Sequence, residues 1–151
     1  MTRKEKAMQS FLDGYNCCQC LILAFEDVID IDIQQALKIA SPFGGGMGRL
    51  REVCGSVSGM FMVLGYILGY NEPEDYEGKK ILYAHIQELA HRYEAENGSI
   101  ICRDLLGLTE KRQDSVPEKR TAEYYAKRPC AEKIGSAAEI LELYLKELSL
   151  I

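Results

Sequence analysis

Apolar positions recur at three- and four-residue spacing along most of this chain, and no run alternates clearly with period two. That periodicity predicts helices. Asn16 is placed to cap the first of them, because its side chain can accept an orphaned backbone N–H. Its apolar stripe is Cys17, Cys20, Leu21, Ala24, Phe25 and Val28. Asp32 caps a second helix through Ala36, Leu37 and Ala40, and Pro42 stops it. Four glycines in the five positions 44–48 exclude a stable helix there. A long central helix follows over 52–69. Another starts at Pro73, Glu74 and Asp75 and ends at Asn97-Gly98. Ser99 caps a short helix over 100–106, residues 109–116 read as a polar loop, and 117–127 as helix. Pro129 sits near the first turn of a last helix to about Leu148, where its missing N–H costs little. The inward stripe of that helix is Ile134, Ala138, Leu141, Leu145 and Leu148. The expected fold is all-α: one domain over 1–151, a compact bundle of about six helices around a central Gly-rich buried helix.

Residues 53–70 carry no charge and approach the length of a bilayer span. Yet Gly55, Gly59, Gly65 and Gly69 and two serines interrupt them, and the mean hydropathy of the chain is −0.16. A helix apolar all round is buried in a core or in lipid, and the core is favoured here. No apolar stretch of signal-peptide length follows the basic residues at the start, which points to the cytoplasm. A net charge of −5 argues against nucleic acid as a partner. The pairs Lys119-Arg120 and Lys127-Arg128 are diluted by Glu118 and Glu123, and read as a solvated helical face. Neither a nucleic acid nor a membrane is expected as a partner.

The chemistry lies in six cysteines: Cys17, Cys18, Cys20, Cys54, Cys102 and Cys130. A cytosolic chain keeps thiols reduced, so its cysteines serve as fillers, metal ligands or redox groups more often than as structural disulfides. Cys17, Cys54, Cys102 and Cys130 each fall near a predicted helix start. Free N–H groups and the macrodipole stabilise a thiolate there. Fillers would occur as often in mid-helix. Cys54 is the expected most reactive thiol, between a glycine-rich loop and a helix start. Gly55 and Gly59, four apart on one face, let another backbone approach closely. Cys17 and Cys20 form a C-x-x-C pair on one helix face, but without the βαβ context of thioredoxin-like chemistry. The 44–48 loop lacks nucleotide-binding patterns. Arg49 and Arg51 can lend positive charge to nearby thiolates. His85 and His91 lie on roughly opposite helix faces and read as ordinary surface or core residues.

These segments resemble a known family. Gly14-Tyr15-Asn16-Cys17, the loop Phe43-Gly44-Gly45-Gly46-Met47-Gly48-Arg49, Cys54-Gly55-Ser56-Val57-Ser58-Gly59, Cys102-Arg103-Asp104-Leu105-Leu106-Gly107, and Cys130 before Ala138-Glu139-Ile140-Leu141 are similar to the C_GCAxxG_C_C family of redox-active proteins. Serine at 56 stands where the family core has alanine. The resemblance carries the family's four cysteines onto Cys17, Cys54, Cys102 and Cys130, leaving Cys18 and Cys20 unmatched. It implies redox activity without naming a substrate. A similar module precedes split-Soret cytochromes c, which implies an iron–sulfur site as an alternative.

Three readings stand. In the first, Cys17, Cys54, Cys102 and Cys130 meet and cycle between dithiol and disulfide with a redox partner the sequence does not identify, as in a thiol oxidoreductase. Cys20 is secondary, and the backbone of Gly44, Gly45, Gly46, Gly48, Gly55 and Gly59 surrounds the site. In the second, the same four thiolates bind zinc or an iron–sulfur cluster. In the third, the cysteines are fillers in a structural or interaction protein. At least three of the four sulfurs are expected within disulfide or shared-metal reach, with Cys18 pointing away. Nine tyrosines and the apolar last helix fit a homodimer.

Overall fold

The computed structural model describes residues 1–110 and 112–151. Its helices are α1 (Arg3–Leu12), α2 (Cys17–Ala24), α3 (Ile33–Ala40), α4 (Gly55–Leu68), α5 (Tyr76–Asn97), α6 (Cys102–Leu105), α7 (Ala122–Lys127) and α8 (Cys130–Glu147). The fold is all-α. Six helices reach eight residues or more, and α6 and α7 are short additions. The sole departure among the described residues is an isolated antiparallel bridge between Val53 and Ile101.

Local sequence explains the helix ends. Asn16 accepts from the Gln19 N–H at 2.9 Å, while its own N–H donates to the Gln19 side chain at 3.1 Å. This reciprocal cap contributes about 1 kcal/mol. Asp32, Asp75 and Thr121 cap α3, α5 and α7. α7 begins at Ala122, so residues 117–121 are not helical as the sequence pattern predicts. α1 is an element the apolar pattern does not reveal. Thr2 and Glu5 form its capping box, and Ala7, Ser10 and Phe11 are buried on its inner face.

α4 is the central helix. Val57, Met60, Val63 and Leu64 have no exposed surface. α2 packs along it, and the contact depends on missing side chains. A Cβ at Gly59 would stand 2.6 Å from Leu21 Cβ, and one at Gly55 2.9 Å from Cys17 Cβ. α1 lies along α8 and α2, and α5 closes on α4 and α8. No helix among the described residues is long and apolar enough to cross a membrane.

The glycine loop is a left-handed turn. Gly45, Gly46, Met47, Gly48 and Arg49 all have φ between 62° and 69°, and Arg51 has φ of 58°. Each non-glycine residue in this region costs about 1–2 kcal/mol. The turn recovers hydrogen bonds in exchange: Gly48 N–H to Gly44 C=O at 2.9 Å and Glu52 N–H to Gly46 C=O at 3.0 Å. Gly46 is also sterically required. A Cβ there would lie 2.6 Å from Cys102 Cβ and 2.8 Å from both Arg51 Cα and Glu52 N.

Candidate functional site

Four chain segments that are distant in sequence end at one small cavity of about 70 Å³. Cys17, Cys54, Cys102 and Cys130 all line it, together with Arg51 and Arg120. Cys17, Cys102 and Cys130 open α2, α6 and α8, and Cys54 immediately precedes α4. The pairing of residues 52–54 with 100–102 fixes two of these positions. The Cys54 N–H donates to Ile100 C=O at 2.8 Å, and the Cys102 N–H to Glu52 C=O at 2.6 Å.

The four thiols have different surroundings. Cys17 and Cys130 are half-buried, line the same cavity and shift each other's ionisation. The neighbouring Cys17 brings the Cys130 thiol down to about 7, helped by the positive charges of Arg128, Arg120 and Arg51 and opposed by burial. The neighbouring Cys130, then burial, pushes Cys17 well up. The pair therefore titrates as a unit, with the guanidiniums favouring a thiolate on the Cys130 side. Cys54 is buried, with its sulfur 3.1 Å from Ser56 Oγ, and Tyr93 O–H donates to it at 3.9 Å. Cys102 is buried and accepts from Arg51 Nη1 at 3.4 Å. Burial raises its thiol in spite of that guanidinium.

Arg51 is 4% exposed and also donates to Gln113 at 2.9 Å. No carboxylate among the described residues forms an ion pair with it. A buried cation without a carboxylate favours anionic sulfur nearby. Arg120 and Arg128 also line the cavity. They are not the solvated face that the sequence reading assigns to them. Arg120 donates to Phe11 C=O at 2.9 Å and Tyr15 C=O at 3.2 Å, and stacks 4.3 Å over the Phe11 ring. These backbone and aromatic contacts hold its charge at the cavity. Arg120, Tyr124 and Arg128 follow i, i+4, i+8 spacing just ahead of Cys130, the sequence signal for their role.

The other predicted site residues divide. Gly45, Gly46 and Gly55 line the thiol cavity. Gly44 and Gly48 line an adjoining cleft. Gly59 lines neither and serves the α2–α4 contact. Cys20 does not join the cavity wall: it is buried and donates to Tyr15 C=O at 3.7 Å. Cys18 points into the core, where it donates to Met62 Sδ at 3.6 Å. Burial pushes both thiols up to about 12. His85 lies 2.6 Å from the Tyr144 hydroxyl, outside the site.

Among the described residues, no three His, Cys, Asp or Glu side chains are gathered closely enough to hold one metal ion. The expected closeness of at least three sulfurs for a shared metal is therefore not met.

The family model described as "Putative redox-active protein (C_GCAxxG_C_C)" matches residues 15–144. No curated protein and no solved structure matches the chain.

Proposed function

The chain belongs to the C_GCAxxG_C_C family, and we propose that it exchanges thiols and disulfides through Cys17 and Cys130. The observation that carries this reading is that Cys17 and Cys130 line one small cavity together with Arg51, Arg120 and Arg128, whose positive charge favours the Cys130 thiolate. An attacking thiol works best with a pKa near ambient pH, and a neighbouring thiol can then resolve the mixed disulfide. Cys130 attacks an external disulfide RSSR and forms Cys130–S–SR, releasing RS⁻. Cys17 attacks the Cys130 sulfur, forms the Cys17–Cys130 disulfide and releases the second R–S group. Its proton leaves with that group. Two electrons pass from the cysteine pair to RSSR, which becomes RSH and RS⁻. Cys54 and Cys102 line the same cavity, and Arg51 donates to the Cys102 sulfur.

The expected first product of mild oxidation is a Cys17–Cys130 disulfide, read by peptide mapping under non-reducing conditions. Recovery of both cysteines as free thiols, or of a different pair as the first product, would end this reading.

A further inference from the structure

We propose that the open cleft beside the thiol cavity binds a carboxylate-bearing arm of a low-molecular-weight disulfide, and presents its sulfur–sulfur bond to Cys130. This rests on the thiol–disulfide reading above and adds the class of substrate. The cleft holds about 390 Å³ and shares Asn16, Gly45, Arg51, Arg120, Tyr124 and Arg128 with the thiol cavity. The inner cavity, at about 70 Å³, has room for only a few atoms. A ligand large enough to be recognised must therefore keep its body in the cleft and send only its reacting sulfurs inward.

Charge selects what that body carries. Arg49, Arg51, Arg120 and Arg128 face one carboxylate in the cleft wall, Glu118. Asp114 stands 3.8 Å from Arg49 but is largely exposed. The whole chain carries −5, so this positive patch is local and runs against the overall balance. A concave patch of one sign concentrates ligands of the other. Guanidinium groups match carboxylates in shape as well as charge, through paired N–H donors. Glu118 illustrates the fit: its carboxylate pairs with Arg128 and lies 4.0 Å from Arg49. Arg51 and Arg120 have no carboxylate partner among the described residues, and both reach the shared wall. An incoming carboxylate meets them on the path to Cys130.

The chemical step is one thiol–disulfide exchange: the Cys130–sulfur bond forms, the sulfur–sulfur bond of the ligand breaks, and the leaving thiolate takes the electron pair. The cleft changes only how often an anionic disulfide arrives in position.

The test uses the reduced full chain and three probes: glutathione disulfide, which is anionic, hydroxyethyl disulfide, which is neutral, and cystamine, which is cationic. The readout is the rate of mixed-disulfide formation at Cys130 by mass spectrometry. Each rate is divided by that of the same probe with a free cysteine peptide. The expected order is anionic, neutral, cationic, with a first step of about tenfold, shrinking as salt screens the cleft. Arg49→Gln should lower the anionic-to-neutral ratio about threefold, and Arg49→Lys should retain most of it. Equal normalised rates, or cystamine in the lead, would overturn the cleft proposal while leaving thiol exchange standing. No reaction at Cys130 with any probe would overturn both.

Discussion

Cys17 with Cys130, and Cys54 with Cys102, are two halves of one cavity wall, and they solve the same local problem differently. All four sulfurs sit at or beside the start of a helix. Cys17 and Cys130 shift each other's ionisation most strongly. Cys54 engages Ser56 and Tyr93, and Cys102 engages Arg51. Both are also more deeply buried than Cys17 and Cys130. A helix start therefore does not make a reactive thiol by itself. What distinguishes Cys130 is the neighbouring Cys17 thiol and three guanidiniums, which together outweigh the cost of burying charge. The sequence expectation that Cys54 is the most reactive thiol rests on its glycine-rich loop and helix start; the proposed exchange turns on Cys130 instead.

The sharpest way to break this contrast is to remove one sulfur from each half. Cys130→Ser should abolish the first disulfide completely, whereas Cys102→Ser should still permit Cys17 and Cys130 to join. Non-reducing peptide maps decide this. In the native reduced protein at pH 7, iodoacetamide should label Cys130 at least about tenfold faster than Cys102. Equal labelling would erase the distinction between the halves.

The second half can be attacked through its backbone. Gly46→Ala places a Cβ against Arg51 and Glu52 backbone atoms and against Cys102. It should cost about 2–3 kcal/mol of stability in denaturant unfolding. Gly98→Ala, also at positive φ but with no atom within 4 Å, carries only the conformational part and should cost about 1 kcal/mol. Matching losses would mean that close packing around Cys102 is unimportant.

Arg128→Gln probes the first half more gently. Losing this charge should raise the Cys130 thiol, slow its alkylation at pH 7 about threefold, and move the midpoint of the pH–rate profile upward. An unmoved midpoint would leave the depression to Cys17, Arg120 and Arg51.

The smallest expected effect is on stability against pH. Cys130 is depressed in the fold, so its contribution grows as pH rises from about 7 toward the ordinary thiol range, and is lost as pH falls through 7. Cys17, Cys18, Cys20 and Cys102 are raised, so their contribution is intact below the ordinary thiol range and is lost above it. The melting temperature of the reduced protein should therefore fall above about pH 9. A continued rise beyond that pH would contradict the burial of these thiols.

Much of the fold was legible because its signals are local. Asn16, Asp32 and Asp75 cap helices where short polar side chains stand ahead of apolar stripes. Gly55 and Gly59 announce a close helix contact, and α2 makes it. α1 was hidden by its charged residues, although Thr2 and Glu5 carry a capping signature that could have revealed it. The stretch 117–121 has helix-compatible composition but no helix there. Propensity is a weak prior that tertiary contacts override.

The sequence by itself determined an all-helical chain, the helix starts at its spaced cysteines and a glycine turn unable to form an ordinary helix. Spacing and side-chain chemistry decide those features within a few residues of backbone. Tertiary structure alone decided which cysteines share one cavity, which arginines line it and which thiol their charge favours as a thiolate. Those properties depend on distances between segments far apart in the chain and on the water excluded between them. Arg120 and Arg128 show this most clearly: diluted surface charges along the sequence, they become the electrostatic wall of Cys130 once Phe11, Tyr15 and α8 come to meet them.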